Sequence, residues 1–369
     1  MYDKLKLDNR NKTIIVFVHK PNLTKFDIEY SMDEAALLCE ALGLEVCCRF
    51  IQKRDHPDLT YCVGKGKLQE IEDFVNANDI EVIVFNNEIS GIQEKNLEKH
   101  FSKLIMGRTE VILNIFQRRA QTKQASLQVE LAFQEYMMPR LKNRWSHFSR
   151  VEGGIGLRGG EGEKQIELDK RMIKDQIIKI KNKLKTVDKQ LETQRKKRSS
   201  MDLVSIVGYT NAGKTTLLNA LSNAGLFSKD MLFATLDIYV RKVYINDEFS
   251  CLISDTVGFI DRLPHGLVAS FKSTLSEVAG SSLLLHVIDA SSPVIDKQIN
   301  SVNSVLKEIG ANNIPVINVF NKIDIVTNDS ILTINDNTND KIFISAKNKT
   351  GIDELKSAIY SFFMNRKQA

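Results

Sequence analysis

Glycines at 208 and 213 frame four residues, and a lysine and a threonine follow at 214 and 215, in the stretch "SIVGYTNAGKTTLLNAL". This spacing suits one chemistry. A glycine-framed loop turns its backbone N–H groups onto phosphates, a lysine reaches the terminal ones, and a hydroxyl binds Mg²⁺. The apolar run "LVSIVG" before the loop reads as a strand and "TTLLNALSNAG" after it as a helix, the context that such a loop requires. Gly208, Tyr209, Thr210, Asn211, Ala212, Gly213, Lys214, Thr215 and Thr216 are therefore the expected phosphate-side residues.

Further elements follow in order. "CLISDTVGFI" ends a strand in Asp255, placed to hold the metal shell through water, and Gly258 is expected to offer its N–H to a γ-phosphate. Between the phosphate loop and this strand, "MLFATLD" supplies Phe233 and Thr235, the latter as the residue that senses the third phosphate and joins Thr215 and Asp255 around the metal. "VINVFNKIDIV" carries Asn321, Lys322 and Asp324. The Asp324 carboxylate accepts from the N1–H and exocyclic amino group of guanine, which adenine does not match. "FISAKN" adds Ser345, Ala346 and Lys347, with the Ala346 amide expected near guanine O6. Together these select GTP, with GDP as product. The catalytic residues expected are Lys214, Thr235 and Gly258, with Lys214 countering transition-state charge.

The position after Gly258, where many GTPases place a water-orienting glutamine, holds Phe259. A phenyl ring neither accepts nor donates the bond that holds a water, so slow hydrolysis by the free chain is expected. Arg262 and His265 follow closely, with surface roles favoured for both.

These residues need elements to carry them. Residues 200–369 read as a P-loop α/β domain, and residues 1–110 as a separate α/β domain, with "TIIVFV", "LEVCCRFI" and "IEVIVFN" as strands and "MDEAALLCEALG" and "KLQEIEDFVN" as helices. Between them, residues 111–199 carry two seams at heptad spacing. One comprises Leu127, Leu131, Gln134, Met138, Leu141 and Trp145, and the other Ile173, Ile177, Ile180, Leu184, Val187 and Leu191. They predict an antiparallel helical hairpin, and Arg150, Arg158 and Lys164 in its glycine-rich loop are candidate RNA contacts.

The formal charge of +5 hides an asymmetry. Residues 111–200 hold 21 Lys and Arg against 10 Asp and Glu, and everything else is net negative. That distribution points to a polyanionic partner for the middle segment, to which Arg195–Arg198 add. A solvated helical face is the bland alternative. The five cysteines form no C-x-x-C pair, the start lacks a secretory apolar region, and no apolar run reaches the ~20 residues that span a bilayer. A cytoplasmic chain without membrane insertion is expected, and a monomer, because a hairpin closes its own seams with less entropy loss.

With these residues in hand, the chain resembles the HflX family of ribosome-associated GTPases. The resemblance is carried by "YCVGKGKL", "QVELAFQEYMMPRL", "WSHFSRVEGGIG", "RGGEGEKQIELDKR", "LFATLD" and "DTVGFIDRLPHGLVASF". It implies binding to the large ribosomal subunit and its rRNA, a glycine-rich loop reaching towards the peptidyl-transferase centre, and separation of stalled or idle ribosomes in the GTP-bound state. The chain departs from the family pattern after "FATL", where Asp237-Ile238-Tyr239-Val240 replaces Asp-Pro-Thr-Thr, and at Gly107, where an aspartate is usual. Two alternatives stand beside this reading. One is a GTP-dependent assembly factor for the large subunit; the other is an ATP-driven RNA remodelling enzyme using the "VGKGK" loop, which lacks the full phosphate-loop pattern.

Overall fold

The computed structural model describes residues 11–140, 160–198, 201–222, 232–233, 235–237, 239–261, 277–326 and 341–368. Contacts gather the chain into two compact units. One holds residues 1–118 with 129–183, and the other residues 119–128 with 184–369.

In the first unit, β1 (Lys12–His19) is "KTIIVFVH", buried at every position after the first, the pattern of a parallel strand covered on both faces. It pairs in parallel with β2 (Glu45–Lys53) and β3 (Val82–Phe85), and β3 with β4 (Leu104–Gly107), giving the order β2-β1-β3-β4. Helices α1 (Lys25–Ala41), α2 (Lys65–Ala77), α3 (Gly91–Phe101) and α4 (Arg108–Arg119) connect and follow the strands. Thr24 with Asp27 and Ser90 with Gln93 form capping boxes that satisfy the first amides of α1 and α3. Ile14, Val16, Val63, Ile71, Ile83, Phe85, Leu97 and Ile105 fill the core between sheet and helices. A boundary after residue 110 falls inside α4, which is one continuous helix.

At the start of α2, the Gly64 amide donates to Gln52 Oε1 at 2.9 Å, and Arg54 packs directly against Gly64. The "VGKGK" turn is thus capped by the protein's own side chains. All five cysteines are free thiols, and burial pushes Cys39, Cys62 and Cys251 up to about 12, which keeps them protonated and inert.

The middle region contributes α5 (Lys123–Met137) and α6 (Gly160–Arg198). Ile177, Ile180 and Leu184 are buried and Ile173, Val187 and Leu191 half-buried along α6, as their spacing predicts. On α5 the seam residues Leu127 and Leu131 are buried, but so are Gln128, Val129, Ala132 and Phe133, so this helix hides more than one face. It stops at Met137 and passes into a 3₁₀ turn at Met138–Arg140, because Pro139 donates no amide and disfavours helical geometry in the residue before it. Lys181 pairs with Glu135 at 2.8 Å and Gln124 with Asp188 at 3.0 Å, two contacts that run in opposite senses along the helices. Leu141, Trp145, Arg150 and Arg158 lie outside the described residues; Lys164 lies on α6, its side chain outside the description.

The second unit is built on a six-stranded sheet in the order β10-β9-β8-β5-β7-β6. Strands β5 (Leu203–Gly208), β7 (Ser250–Asp255), β8 (Leu283–Asp289), β9 (Val316–Asn321) and β10 (Lys341–Phe343) are parallel, and β6 (Tyr239–Tyr244) joins antiparallel at the edge. Helices α7 (Lys214–Ser222), α8 (Ile295–Glu308) and α9 (Ile352–Gln368) complete it. Val204, Ile206, Leu217, Leu218, Ile253, Leu285, Val287, Leu355 and Phe363 form the core that fixes where β5, β7 and β9 end, and those ends carry the site.

Gly351, just before α9, has φ +74°, and a Cβ there would lie 2.4 Å from the Phe343 carbonyl oxygen. Gly351→Ala is expected to lower stability by about 2 kcal/mol or more through backbone strain and this clash. Thermal unfolding of the purified variant checks this; an unchanged midpoint would contradict it.

Candidate functional site

Strand β5 delivers Gly208, and after a five-residue loop α7 begins at Lys214. Between them the chain alternates into left-handed geometry, with Asn211 at φ +62° and Gly213 at φ +94°. Such alternation turns successive N–H groups inward to form a concave anion nest, and the first turn of α7 adds unsatisfied amides. Gly213 admits no side chain, since a Cβ would stand 2.2 Å from Asn321 Nδ2.

Lys214 is 6% exposed, and its Nζ donates to the Gly208 carbonyl at 3.2 Å and the Tyr209 carbonyl at 2.8 Å. Burial draws this ammonium down to about 8, with Asp255 pulling the other way. An arriving phosphate supplies the anion that burial leaves it short of. Thr216 stands half-buried in the same turn.

Next to the lysine lies a buried oxygen cluster. Thr215 Oγ1 donates to Asp255 Oδ2 at 2.6 Å and lies 2.6 Å from Thr235 Oγ1. Asp255 is fully buried, and its second oxygen, Oδ1, has no hydrogen-bond partner. Desolvation pushes the Asp255 carboxyl up, opposed by Lys214 and by hydrogen bonds from Thr215, Thr235 and the Thr256 backbone. One carboxylate with an orphaned oxygen and two hydroxyls is a hard donor set of the kind Mg²⁺ takes, with water and substrate phosphates completing its shell. Thr210 Oγ1 is a second buried oxygen without a partner. The geometry therefore brings Thr215, Thr235 and Asp255 together.

Gly258 closes onto this cluster: a Cβ there would come within 2.9 Å of Thr210 Cα and 3.0 Å of Lys214 Nζ. Phe259 is almost wholly buried, its N–H bonded to the Gly208 carbonyl at 3.1 Å and its carbonyl to the Thr210 N–H at 2.6 Å. Its ring is thus in the core, and only its backbone borders the phosphate loop. The Tyr209 hydroxyl accepts from the Asp261 N–H at 2.6 Å, a second stitch that sequence reasoning missed. Arg262 and His265 lie outside the described residues.

On the base side, β9 ends at Asn321, whose side chain is a cross-brace. Its Nδ2 donates to the Ala212 carbonyl at 2.8 Å, and its Oδ1 accepts from the Ala346 N–H at 2.9 Å. The Ala346 amide, expected at guanine O6, is thus directed at Asn321. Lys322 takes left-handed geometry and pairs with Asp289 at 2.7 Å. Asp289 ends β8; its part was not legible in sequence, because no local motif marks it. Asp324 is exposed on the 3₁₀ turn Ile323–Ile325, and its Oδ1 accepts from Ser345 Oγ at 2.7 Å, which leaves the remaining carboxylate lone pairs for a base. Ser345 Oγ in turn accepts from the Asn348 N–H, so the serine orients the aspartate. Lys347 is exposed next to it, and Phe233 is buried at φ +54° beside the Thr235 segment.

Comparison with known proteins agrees with this geometry. Family models match three successive stretches. They are described as GTP-binding GTPase N-terminal over residues 29–117, GTP-binding GTPase Middle Region over 119–198, and 50S ribosome-binding GTPase over 203–322. The GTPase HflX of Caldanaerobacter subterraneus subsp. tengcongensis is 42% identical over 97% of this chain and 81% of its own length. That of Flavobacterium psychrophilum is 42% identical over 95% of this chain and 90% of its own, and that of Escherichia coli K12 is 41% identical over 93% and 81%. Among solved structures, the crystal structure of SsGBP with GDP superposes at a TM-score of 0.53 with 25% identity, covering 95% of this chain and 98% of that one. With relatives at about 40% identity over most of both chains, this chain, which hydrolyses GTP, belongs to the HflX family of GTPases.

Proposed function

We propose that this GTPase binds the large ribosomal subunit through residues 111–199 and, with GTP bound, separates stalled or idle ribosomes into subunits, the ribosome in turn stimulating hydrolysis. The observation that carries the reading is Phe259. It occupies the water-orienting position with its ring in the core, so the free chain has no side chain there to hold the nucleophile. A partner that orders the switch segments supplies what is missing. The excess of basic residues over 111–200 suits rRNA as that partner, with Arg150, Arg158 and Lys164 as contacts, and the family model over residues 203–322 carries the description of a 50S ribosome-binding GTPase. The chain acts as a monomer in the cytoplasm; among the described residues no helix is long and apolar enough to cross a membrane.

Within the site, Lys214 neutralises charge that builds on the transferring phosphoryl group, and the loop amides orient the β and γ phosphates. Thr215, Thr235 and Asp255 would hold Mg²⁺, which when bound would withdraw charge from the substrate's phosphate oxygens. Gly258 offers its N–H to the γ-phosphate, and Asn321, Lys322, Asp324 and Ser345 fix the base. Thr215→Val is expected to raise the Mg²⁺ concentration needed for half-maximal nucleotide affinity by about tenfold, since it removes one ligand and the donor that orients Asp255. A magnesium titration of GTP-analogue binding reads this, and an unshifted midpoint would remove Thr215 from the metal shell.

Sedimentation of intact ribosomes with this protein and a non-hydrolysable GTP analogue tests the splitting step. The expected outcome is conversion of whole ribosomes to free subunits with the analogue and not with GDP. Persistence of whole ribosomes alongside binding to free large subunits would instead favour an assembly factor.

A further inference from the structure

The carboxylate of Asp237 lies two residues from Thr235, and its hydrogen bonds run away from the phosphate loop. It accepts from the Gln121 N–H at 3.0 Å, the Thr122 N–H at 3.1 Å and the Thr122 hydroxyl at 2.5 Å. All three donors stand at the beginning of α5, and residues 119–128 belong to the same compact unit as Asp237. Thr122 is the cap of that helix: its Oγ1 accepts from the Ala125 N–H at 3.2 Å, and its carbonyl accepts from the Ser126 N–H at 2.9 Å. With its lone pair engaged by Ala125, the hydroxyl donates its proton to Asp237, so the two residues form one relay. Asp237 is 3% exposed, and an anion placed among the first amides of a helix is favoured both by the unsatisfied N–H groups and by the helix dipole.

From these contacts we propose that Asp237 is a positioning residue that ties the nucleotide-sensing threonine to the start of α5, so that the triphosphate state of the site and the capped state of the helix favour each other. The connection is short and stiff. Thr235 reaches Thr215 with its hydroxyl, Leu236 is buried between, and β6 starts at Tyr239, paired with Asp255. Two residues span no more than about 7 Å, so a movement of Thr235 away from the phosphate loop beyond the slack in that span must move Asp237 or break its three bonds. The coupling is reciprocal by linkage: whatever holds α5 capped raises the affinity for GTP over GDP by the factor with which GTP strengthens the cap. Tyr239 and Val240 serve as edge strand, whereas Asp237 serves the helix. The proposal rests on the nucleotide site alone and needs no ribosome.

The test uses the full chain with GDP and with a non-hydrolysable GTP analogue, reading both dissociation constants and the hydrogen exchange of amides 121–126. The expected wild-type result is slower exchange of these amides with the analogue than with GDP. Asp237→Asn, which keeps the shape and turns a donor towards donors, is expected to weaken the analogue about tenfold and GDP less than twofold, and to erase the exchange difference. Thr122→Val, far in sequence from every nucleotide contact, should do the same, and Thr122→Ser should behave as wild type; these two decide the matter if Asp237→Asn fails to fold. Equal weakening of both nucleotides would make Asp237 a purely structural residue and overturn the proposal, as would wild-type exchange that is the same in both nucleotide states.

Discussion

Lys214→Ala lowers kcat/KM for GTP by about a thousandfold, roughly 4 kcal/mol of transition-state stabilisation, while the protein stays folded. The size follows from the surroundings of the ammonium. It is buried, bonded to the Gly208 and Tyr209 carbonyls and faced by Asp255, so its charge is fixed in place and poorly screened. In this low-dielectric pocket a fixed charge opposite the developing phosphoryl charge counts for more than it does in water. The same burial costs the resting protein something, since desolvation opposes the charged form of Lys214; the variant should therefore unfold at a temperature close to that of wild type. Steady-state GTP turnover with thermal unfolding as control makes the measurement, and turnover within tenfold of wild type would show that the phosphate nest suffices without the lysine.

Asp324→Asn weakens GTP by about a thousandfold and shifts preference to xanthosine triphosphate. Guanine presents two donors, N1–H and its amino group, and a carboxylate meets both. In the variant the Ser345 hydroxyl holds the amide oxygen as it held Oδ1, which leaves the amide NH₂ turned towards the ligand. A donor there opposes the guanine amino group and suits the carbonyl that xanthine carries in its place. Adenosine triphosphate gains nothing. Competition among the three triphosphates against a labelled analogue reads the switch, and equal loss for GTP and xanthosine triphosphate would mean that Asp324 does not read the base.

How much of this was legible in sequence depends on the range over which each residue works. Gly213, Lys214 and Thr215 follow one another along the chain, so their joint geometry is set by one strand, one turn and one helix. Asp255, Asn321 and Asp324 were found for a related reason: each sits at or just past the end of a parallel strand, and such ends converge on one rim of the sheet. Asp289 and Asp237 were missed because their partners lie outside their own segments; Asp237 meets Thr122 across 115 positions. Sequence placed Ser345 at the base, whereas the structure adds that it first orients Asp324.

In the middle region, periodicity captured α6 but read α5 as a single seam running to Trp145. Val129, Ala132 and Phe133 bury further faces, and Pro139 closes the helix two residues after its last turn. A heptad pattern records one packing partner, and a helix with more than one does not announce the others. Three strands of the first unit's sheet were legible, β1 and β3 through their apolar runs, whereas β4, only four residues long and running straight into α4, was not.

The measurement that bears most directly on the account is GTP turnover by the purified chain at one fixed low salt concentration, with and without purified large ribosomal subunits, and with ATP in parallel. Slow turnover alone, and strong stimulation by the subunits confined to GTP, is the predicted result, for Phe259 leaves the attacking water unheld until a partner orders the switches. Fast turnover by the free chain, or no response to the subunits, would contradict it.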